Sequence, residues 1–442
     1  MSFSRYPKYK DSGVKLLGQV PEQWQSKRFK RIFRERDERS ANGDEMLLSV
    51  SAYTGVSPRT EIIDDGDYLS RADSLEGYKV CYKNDLVVNI MLAWNRGLAF
   101  TDYHGIVSPA YCVYSIVDGS DPTFLNYLVR SDEYTLYFKA HSSGVIDSRL
   151  RIYPESFGAL FCALPPIAEQ KLIADFLDGE TSRIDSLVAE QHRLIELLKE
   201  KRHAFISHAV TKGLNPKASM KASGIDWLGE IASGWQERRL KAVSTFITSG
   251  PHGWSERIGE EGRLFVQSGD LNDRLEIDFA AAKRVKVEEN AETTRTRMRD
   301  GDVLICITGA KTGNVAVCSS IPEPAYINQH LCLVRPNLEI LPSFLGALLK
   351  SRVGQTHFEL SQYGLKQGLS LDDVKGAPVV LPSIDEQEAI LSLLRSETDK
   401  LDALTIEAHR AVQLLEERRS TLISAAVTGQ IDVRYARTLD AA

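Results

Sequence analysis

The residues with the most chemical potential in this 442-residue sequence form a short loop, Gly309-Ala310-Lys311-Thr312-Gly313-Asn314, which follows the apolar run Val303 to Ile307. One cation, one hydroxyl and backbone amides between glycines suit a phosphate backbone or a base edge. The same composition also makes an ordinary hairpin turn. Nothing around it completes a reaction centre. The sequence has no G-x-x-x-x-G-K-[ST] loop, no H-E-x-x-H, no G-x-S-x-G and no N/D-P-P-F/Y run. Asp373-Val374-Lys375 offers the D-x-K half of a metal-dependent nuclease signature, but no proline precedes an aspartate, so a helix surface is expected there. The residues point to binding rather than to catalysis.

Composition narrows the class. The cysteines (Cys81, Cys112, Cys162, Cys306, Cys318, Cys332) form no C-x-x-C pair and lie in apolar, strand-like runs, so core thiols are expected and not a zinc site or disulfides. The formal net charge of −6 gives no global attraction to nucleic acid, so any such binding has to come from a local basic face. No stretch approaches the roughly 18 apolar residues of a membrane helix, and Met1 to Lys10 has aromatics and charges where a signal peptide has an apolar run. A cytoplasmic protein is expected.

The elements that position such residues come from an internal duplication. Ser12-Gly13, Leu17-Gly18, Trp24-Gln25, Arg28 and Lys30 recur 211 residues later as Ser223-Gly224, Leu228-Gly229, Trp235-Gln236, Arg239 and Lys241. Leu164-Pro165, Ile167, Glu169-Gln170, Leu177, Glu180-Thr181, Asp185, Glu190, His192-Arg193, Arg202 and Ala209-Val210-Thr211 recur without a gap 217 residues later, from Leu381-Pro382 to Ala426-Val427-Thr428. Between these blocks the halves differ, with a faint skeleton: Asn84-Asp85-Leu86 beside Gly301-Asp302-Val303, and Pro122, Phe124-Leu125 beside Pro342, Phe344-Leu345. Two similar frames therefore carry two different inserts. Trp24 and Trp235, at matched positions, are expected to be packing anchors.

Each frame contains a long helix. From Ala168 to about Ala209 no proline interrupts, and apolar residues return at heptad spacing: Leu177, Ile184, Leu198 and Phe205 on one track, Leu187 and Leu194 on another. The second copy offers Leu394, Leu401, Ala408, Leu415 and Leu422 beside Leu404 and Ala411. About 40 residues give a rod of roughly 60 Å, whose apolar stripe needs a cover. The stripe of the other copy can supply it, antiparallel if a pseudo-twofold axis relates the copies. The inserts, Met1 to Ala163 and Ala218 to Val380, alternate short strands with turns and contain helical pieces at Pro122 to Ala140 and Pro342 to Leu360. The expected fold is α/β: two mixed domains and two long antiparallel helices forming a coiled coil, with internal pseudo-twofold duplication.

On the Ser12 to Trp24 opening and its Ser223 to Trp235 echo, the Leu-Pro helix starts with Glu169-Gln170, and the Ile206-Ser207 to Thr211 helix end with its second copy, the chain resembles the specificity (S) subunits of Type I restriction-modification systems. The resemblance implies target-recognition domains at 1–163 and 215–380, spacer helices at 164–214 and 381–431, and a tail at 432–442. Each domain would read one half of a bipartite asymmetric site in double-stranded DNA. The helices would dock two methyltransferase (M) subunits, which bind S-adenosylmethionine, and motor-nuclease (R) subunits, which use ATP and Mg, would join them. This chain would itself hold no catalytic residue, cofactor or metal. A coiled-coil adaptor whose inserts bind proteins is the alternative, and it predicts no salt-dependent DNA affinity.

Base readout pairs Arg or Lys with guanine and Asn or Gln with adenine. On that chemistry the candidates are Asn95, Arg96, Lys139, Arg149 and Arg151 in the first domain. In the second they are Lys311, Asn314, Asn328, Gln329, Lys366 and Gln367. The run Arg295 to Arg299 is either a phosphate stripe or an exposed strand face. A four-residue insertion near Glu190 is expected to change the spacing of the half-sites and not the bases read.

Overall fold

The computed structural model describes residues 3–14, 18–59, 74–146, 149–225, 227–362 and 367–435. The chain divides into two compact units: Met1–His192 with Arg410–Ala442, and Arg193–His409. Each unit contains one insert and a part of both long helices, Ile167–Lys212 and Ile384–Val427.

The duplication extends into the inserts more deeply than the residue matches reach. In the first unit an antiparallel four-stranded sheet has the order Phe33–Arg36, Tyr111–Ile116, Leu86–Asn89, Leu98–Phe100. In the second, Ser244–Ser249, Leu331–Pro336, Val303–Cys306 and Val315–Val317 pair in the same order. The ribbon of Gln25–Arg28 with Phe161–Leu164 has its counterpart in Gln236–Arg239 with Pro378–Leu381. Around this shared scaffold the additions differ. The first unit adds a hairpin, Leu48–Ser51 with Gly55–Pro58, and the pair Lys79–Cys81 with Gly105–Val107. The second adds another sheet that includes a parallel pair, Arg263–Val266 with Ala325–Ile327. The cysteines, expected in the core, are all buried as free thiols.

Trp24 and Trp235 are the anchors of the frames. Trp24 is fully buried and donates from Nε1 to Glu169 Oε1 at 2.8 Å; Trp235 donates to Glu386 Oε2 at 3.0 Å. The adjacent glutamines repeat as well. Gln170 donates to the Pro165 carbonyl and accepts from the amide of Asp121, while Gln387 donates to Pro382 and accepts from Leu341. The Glu-Gln pair thus fastens the start of each long helix to its insert, which explains its recurrence better than helix propensity would.

Within each unit the long helices are antiparallel neighbours, joined by the same ion pair. Asp185 meets Arg419 at 2.9 Å in the first unit, and Asp402 meets Arg202 at 3.5 Å in the second. Each residue is 217 positions from its counterpart, so the same pair recurs in both units. The sheltered positions step by four and three: Leu177, Thr181, Ile184, Val188, Gln191, Ile195, Leu198, Arg202, Phe205 and Ala209, with the same steps from Leu394 to Ala426. Such stepping is the heptad seam of a coiled coil.

Leu187, Leu194 and Leu404 correct the sequence reading. They are 45%, 42% and 54% exposed, whereas Ile195 is 2% exposed and Thr181 is buried. The second track of the seam starts four residues after Leu177, and part of it is polar, so a reading that follows leucines alone picks the wrong face. Leu177→Ala is expected to lower stability by about 2–5 kcal/mol through the cavity it leaves. Leu187→Ala should stay within about 0.5 kcal/mol of the native chain. Equal losses in urea unfolding of the two variants would refute this assignment. Among the described residues, no helix is long and apolar enough to cross a membrane.

Candidate nucleic-acid interface

The shared sheet places one connection identically in both units. Strand Leu86–Asn89 leads through residues 90–97 into Leu98–Phe100, and strand Val303–Cys306 leads through 307–314 into Val315–Val317. The two connections are 217 residues apart, position for position. The first carries Asn95 and Arg96, the second Lys311 and Asn314. Candidates chosen separately in the two halves therefore occupy one structural place.

The backbone of this connection turns through the left-handed region at one shared position. In the second unit that residue is Gly313, with φ 88°, where glycine has no steric penalty; in the first it is Arg96, with φ 60°. A left-handed arginine costs about 1–2 kcal/mol and is held here by an ion pair with Asp132. Strain retained at a loop tip is a mark of functional sites.

The remaining first-unit candidates gather around the same connection. Lys139 lies with Nζ 5.1 Å from the Trp94 ring centroid. Arg149 is exposed, and the Arg151 guanidinium donates to the Leu150 carbonyl. Ile152, next along, donates its amide to Ile90 at 3.0 Å, which seats the 149–152 segment beside the connection. Its counterpart bond, Leu369 N to Ile307 O at 2.7 Å, seats exposed Gln367 the same way. Lys366 lies outside the described residues.

In the second unit Lys311 donates to the carbonyls of Gly269 and Leu271, and Asn314 Nδ2 donates to Leu271. Gln329 is half-buried, accepting from Ser255 and facing His330. The expectation for Asn328 fails: it is 2% exposed and its side-chain oxygen accepts the His330 amide, so it closes the turn between two strands and cannot reach a base. Arg295 lies in the last turn of the helix Ala291–Thr296 and is tied to Thr248 and Ser249, leaving Arg297 and Arg299 exposed on either side of buried Met298. A continuous arginine stripe is therefore not formed.

Sequence reading missed two cations, Arg130 and Lys350, which end the helices Pro122–Arg130 and Pro342–Lys350 and contact the shared connection. Arg130 Nη1 donates to the carbonyls of Leu98 and Arg96; Lys350 Nζ donates to Asn314 Oδ1 at 2.6 Å. Lys350 also holds the Asp273 carboxylate below its usual pKa. The signal for them was the faint Pro122/Pro342 skeleton, followed to the helix ends.

Comparison with known proteins agrees with this architecture. Residues 233–415 match the family model described as the Type I restriction modification DNA specificity domain. The chain is 26% identical to the EcoBI specificity subunit of Escherichia coli over 62% of its own length and 58% of that protein's, so less than two thirds of that relative is spanned. With the EcoKI specificity subunit of Escherichia coli K12 it is 22% identical over 76% of its length and 70% of the relative's. Its fold is similar to a chain solved in a study of complex assembly and conformational transition of the type I R-M system, with TM-score 0.70 and 18% identity over 92% of this chain and 98% of that one. It is also similar to the HsdS subunit from Thermoanaerobacter tengcongensis, with TM-score 0.54 and 19% identity over 93% and 98%. A duplicated frame around two dissimilar inserts is thus found together with likenesses to Type I restriction-modification specificity subunits in a family model, in curated relatives and in fold.

Proposed function

We propose that this chain is the DNA-reading subunit of a Type I restriction-modification complex, each insert reading one half of a bipartite site in double-stranded DNA, and that it performs no catalysis itself. The observation that carries this reading is the shared connection, 90–97 and 307–314. One scaffold presents it twice, with different side chains each time, as two half-sites of different sequence require. Arg96 and Lys311 are cations suited to guanine or phosphate, and Asn95 and Asn314 are amides suited to adenine.

The partners follow from the exposed faces of the long helices. Leu187 and Leu414 are exposed in the first unit, and their counterparts Leu404 and Leu197 are exposed in the second. Equivalent apolar patches suit two copies of one partner, and the methyltransferase subunits are the expected occupants. S-adenosylmethionine, ATP and Mg would then be bound by partner subunits, with motor-nuclease subunits completing the assembly.

The test is methylation mapping by long-read sequencing of DNA from cells expressing this chain with its methyltransferase subunit, against the methyltransferase alone. A new bipartite adenine-methylated motif is expected. If none appears while the same methyltransferase works with another specificity chain, the adaptor reading replaces this one. A second arm uses the helices. Because the seam steps in heptads, a four-residue insertion disrupts it, whereas seven residues after Arg193 and seven after Arg410 preserve it. The paired insertion adds about 10.5 Å of helix, or about three base pairs at 3.4 Å each. The spacer is expected to grow with the bases unchanged; altered bases at constant spacing would refute the rod's role.

A further inference from the structure

The two inserts each present a cation at one place. Two nine-residue helices end in Arg130 and Lys350, and the serine that follows, Ser131 or Ser351, caps the next helix. From this fixed point the side chains reach into the loops around them. Arg130 donates to five main-chain carbonyls: from Nη1 to Leu98 at 2.9 Å, Arg96 at 3.3 Å and Ser51 at 3.5 Å, and from Nη2 to Ala52 at 2.8 Å and Tyr53 at 3.4 Å. Lys350 donates to Asn314 Oδ1 at 2.6 Å and Asp273 Oδ1 at 3.0 Å.

The acceptors differ in kind but not in location. One set belongs in both units to the shared connection, through Arg96 with the adjoining strand residue Leu98 in the first and through Asn314 in the second. The other set belongs to a second loop, whose sequence differs between the units. In the first unit it is the hairpin turn at Ser51 to Tyr53, whose Tyr53 is 94% exposed. In the second it is the loop from Leu271 to Ile277, which also leans on the long helix through Arg274 and Asp402 at 3.1 Å. Burial, with Arg96 and Arg419 nearby, lowers the Arg130 pKa. Its charge is held against those costs, and the carbonyls it gathers carry no net charge to offset them.

We propose that Arg130 and Lys350 are positioning residues, each tying the shared connection of its insert to a second loop of that insert and thereby setting the geometry in which that insert meets DNA. This rests on the DNA-reading function proposed above. The two terminal nitrogens of a planar guanidinium carry four N–H donors in a fixed fork, which by sharing span carbonyls in two loops, and a lysine ammonium cannot. Lys350 acts on a side chain instead: with Oδ1 of Asn314 engaged by the ammonium and Nδ2 by the Leu271 carbonyl, the amide can face only one way.

The test uses the full chain assembled with its methyltransferase subunit on a DNA library carrying single-base changes in each half-site. Methylation is read by sequencing, and assembly is checked in parallel. Arg130→Met and Arg130→Lys are expected to reduce discrimination about tenfold at one or more positions of one half-site, leaving the other half as sharp as in the native complex. Lys350→Met is expected to blur the opposite half. Two sharp halves in all variants, loss of both halves together, or blurring of the same half by Arg130 and Lys350 variants would overturn the inference. So would loss of assembly by both Arg130 variants, which would make Arg130 a residue of the fold. A native complex with no bipartite motif removes the functional reading and this inference together; a native motif untouched by the Arg130 variants removes the inference alone.

Discussion

Asp302→Ala is expected to destabilise the second unit by about 3–5 kcal/mol, the cost of breaking a buried ion pair from one side. The Asp302 side chain is 1% exposed and takes the Arg335 guanidinium in a two-point grip, Nε at 2.7 Å and Nη2 at 2.8 Å, while also accepting the Arg299 amide at 2.8 Å. Alanine leaves a mostly buried guanidinium without its anion and an amide without its acceptor. Adding Arg335→Leu should recover part of the loss, because an apolar pair is often as stable as an ion pair in such a place. Urea unfolding of the full chain gives the magnitude, and hydrogen exchange at residues 303–306 and 331–336 localises it. A loss below 1 kcal/mol, or one spread evenly over both units, would contradict the argument. The first unit keeps the aspartate and changes its partner: Asp85 is held by Arg36, from the edge strand of the sheet, at 2.9 Å.

Glu169→Ala and Glu386→Ala should differ although the two glutamates are equivalent in sequence. Glu169 is 5% exposed and accepts from Tyr6 Oη at 2.7 Å, Trp24 Nε1 at 2.8 Å and Gln23 Nε2 at 3.3 Å. Its removal strands two buried donors, each worth about 1–3 kcal/mol, so a loss of about 3 kcal/mol is expected. Glu386, half-buried, receives Trp235 alone among these donors, and its loss should cost about 1 kcal/mol. Burial and the hydrogen bond to Glu169 push the Tyr6 hydroxyl far above the ordinary tyrosine pKa. Thermal unfolding of the two variants checks the order; equal shifts would mean that the extra donors contribute nothing.

The duplication, the long helices and the mixed α/β inserts were legible because each leaves a one-dimensional trace: identical residues at fixed spacing, heptad periodicity, alternating strands. The seam was only half legible. Leu177, Ile184 and Leu198 lie on it, but so do Thr181, Gln191 and Arg202, which no apolar pattern marks. Leu187 looks like a seam residue and faces outward. Residue type alone singled out Asn95, Arg96, Lys311 and Asn314 as candidates, while the common place of their two connections needed the strand order. Asn328 was misread because burial depends on the parallel pair of strands beside it, a long-range event. Arg130 and Lys350 escaped because a basic residue at a helix end is ordinary until its acceptors, up to 79 residues away, are known.

The way the long helices are shared imposes an unusual order on folding during synthesis. The first core, around Trp24, includes Leu422, Ala426, Val427 and Val433, whereas the second, around Trp235, takes Ile206, Ala209 and Val210 from the earlier helix. Every residue of the second unit, Arg193–His409, has therefore been made before the first unit receives its last pieces. At about 5–20 residues per second, the amino-terminal insert waits on the order of tens of seconds for the strip of apolar surface that closes it. Here the domain that leaves the ribosome first is the one that finishes last, and until then its unfilled groove is where a chaperone would hold it.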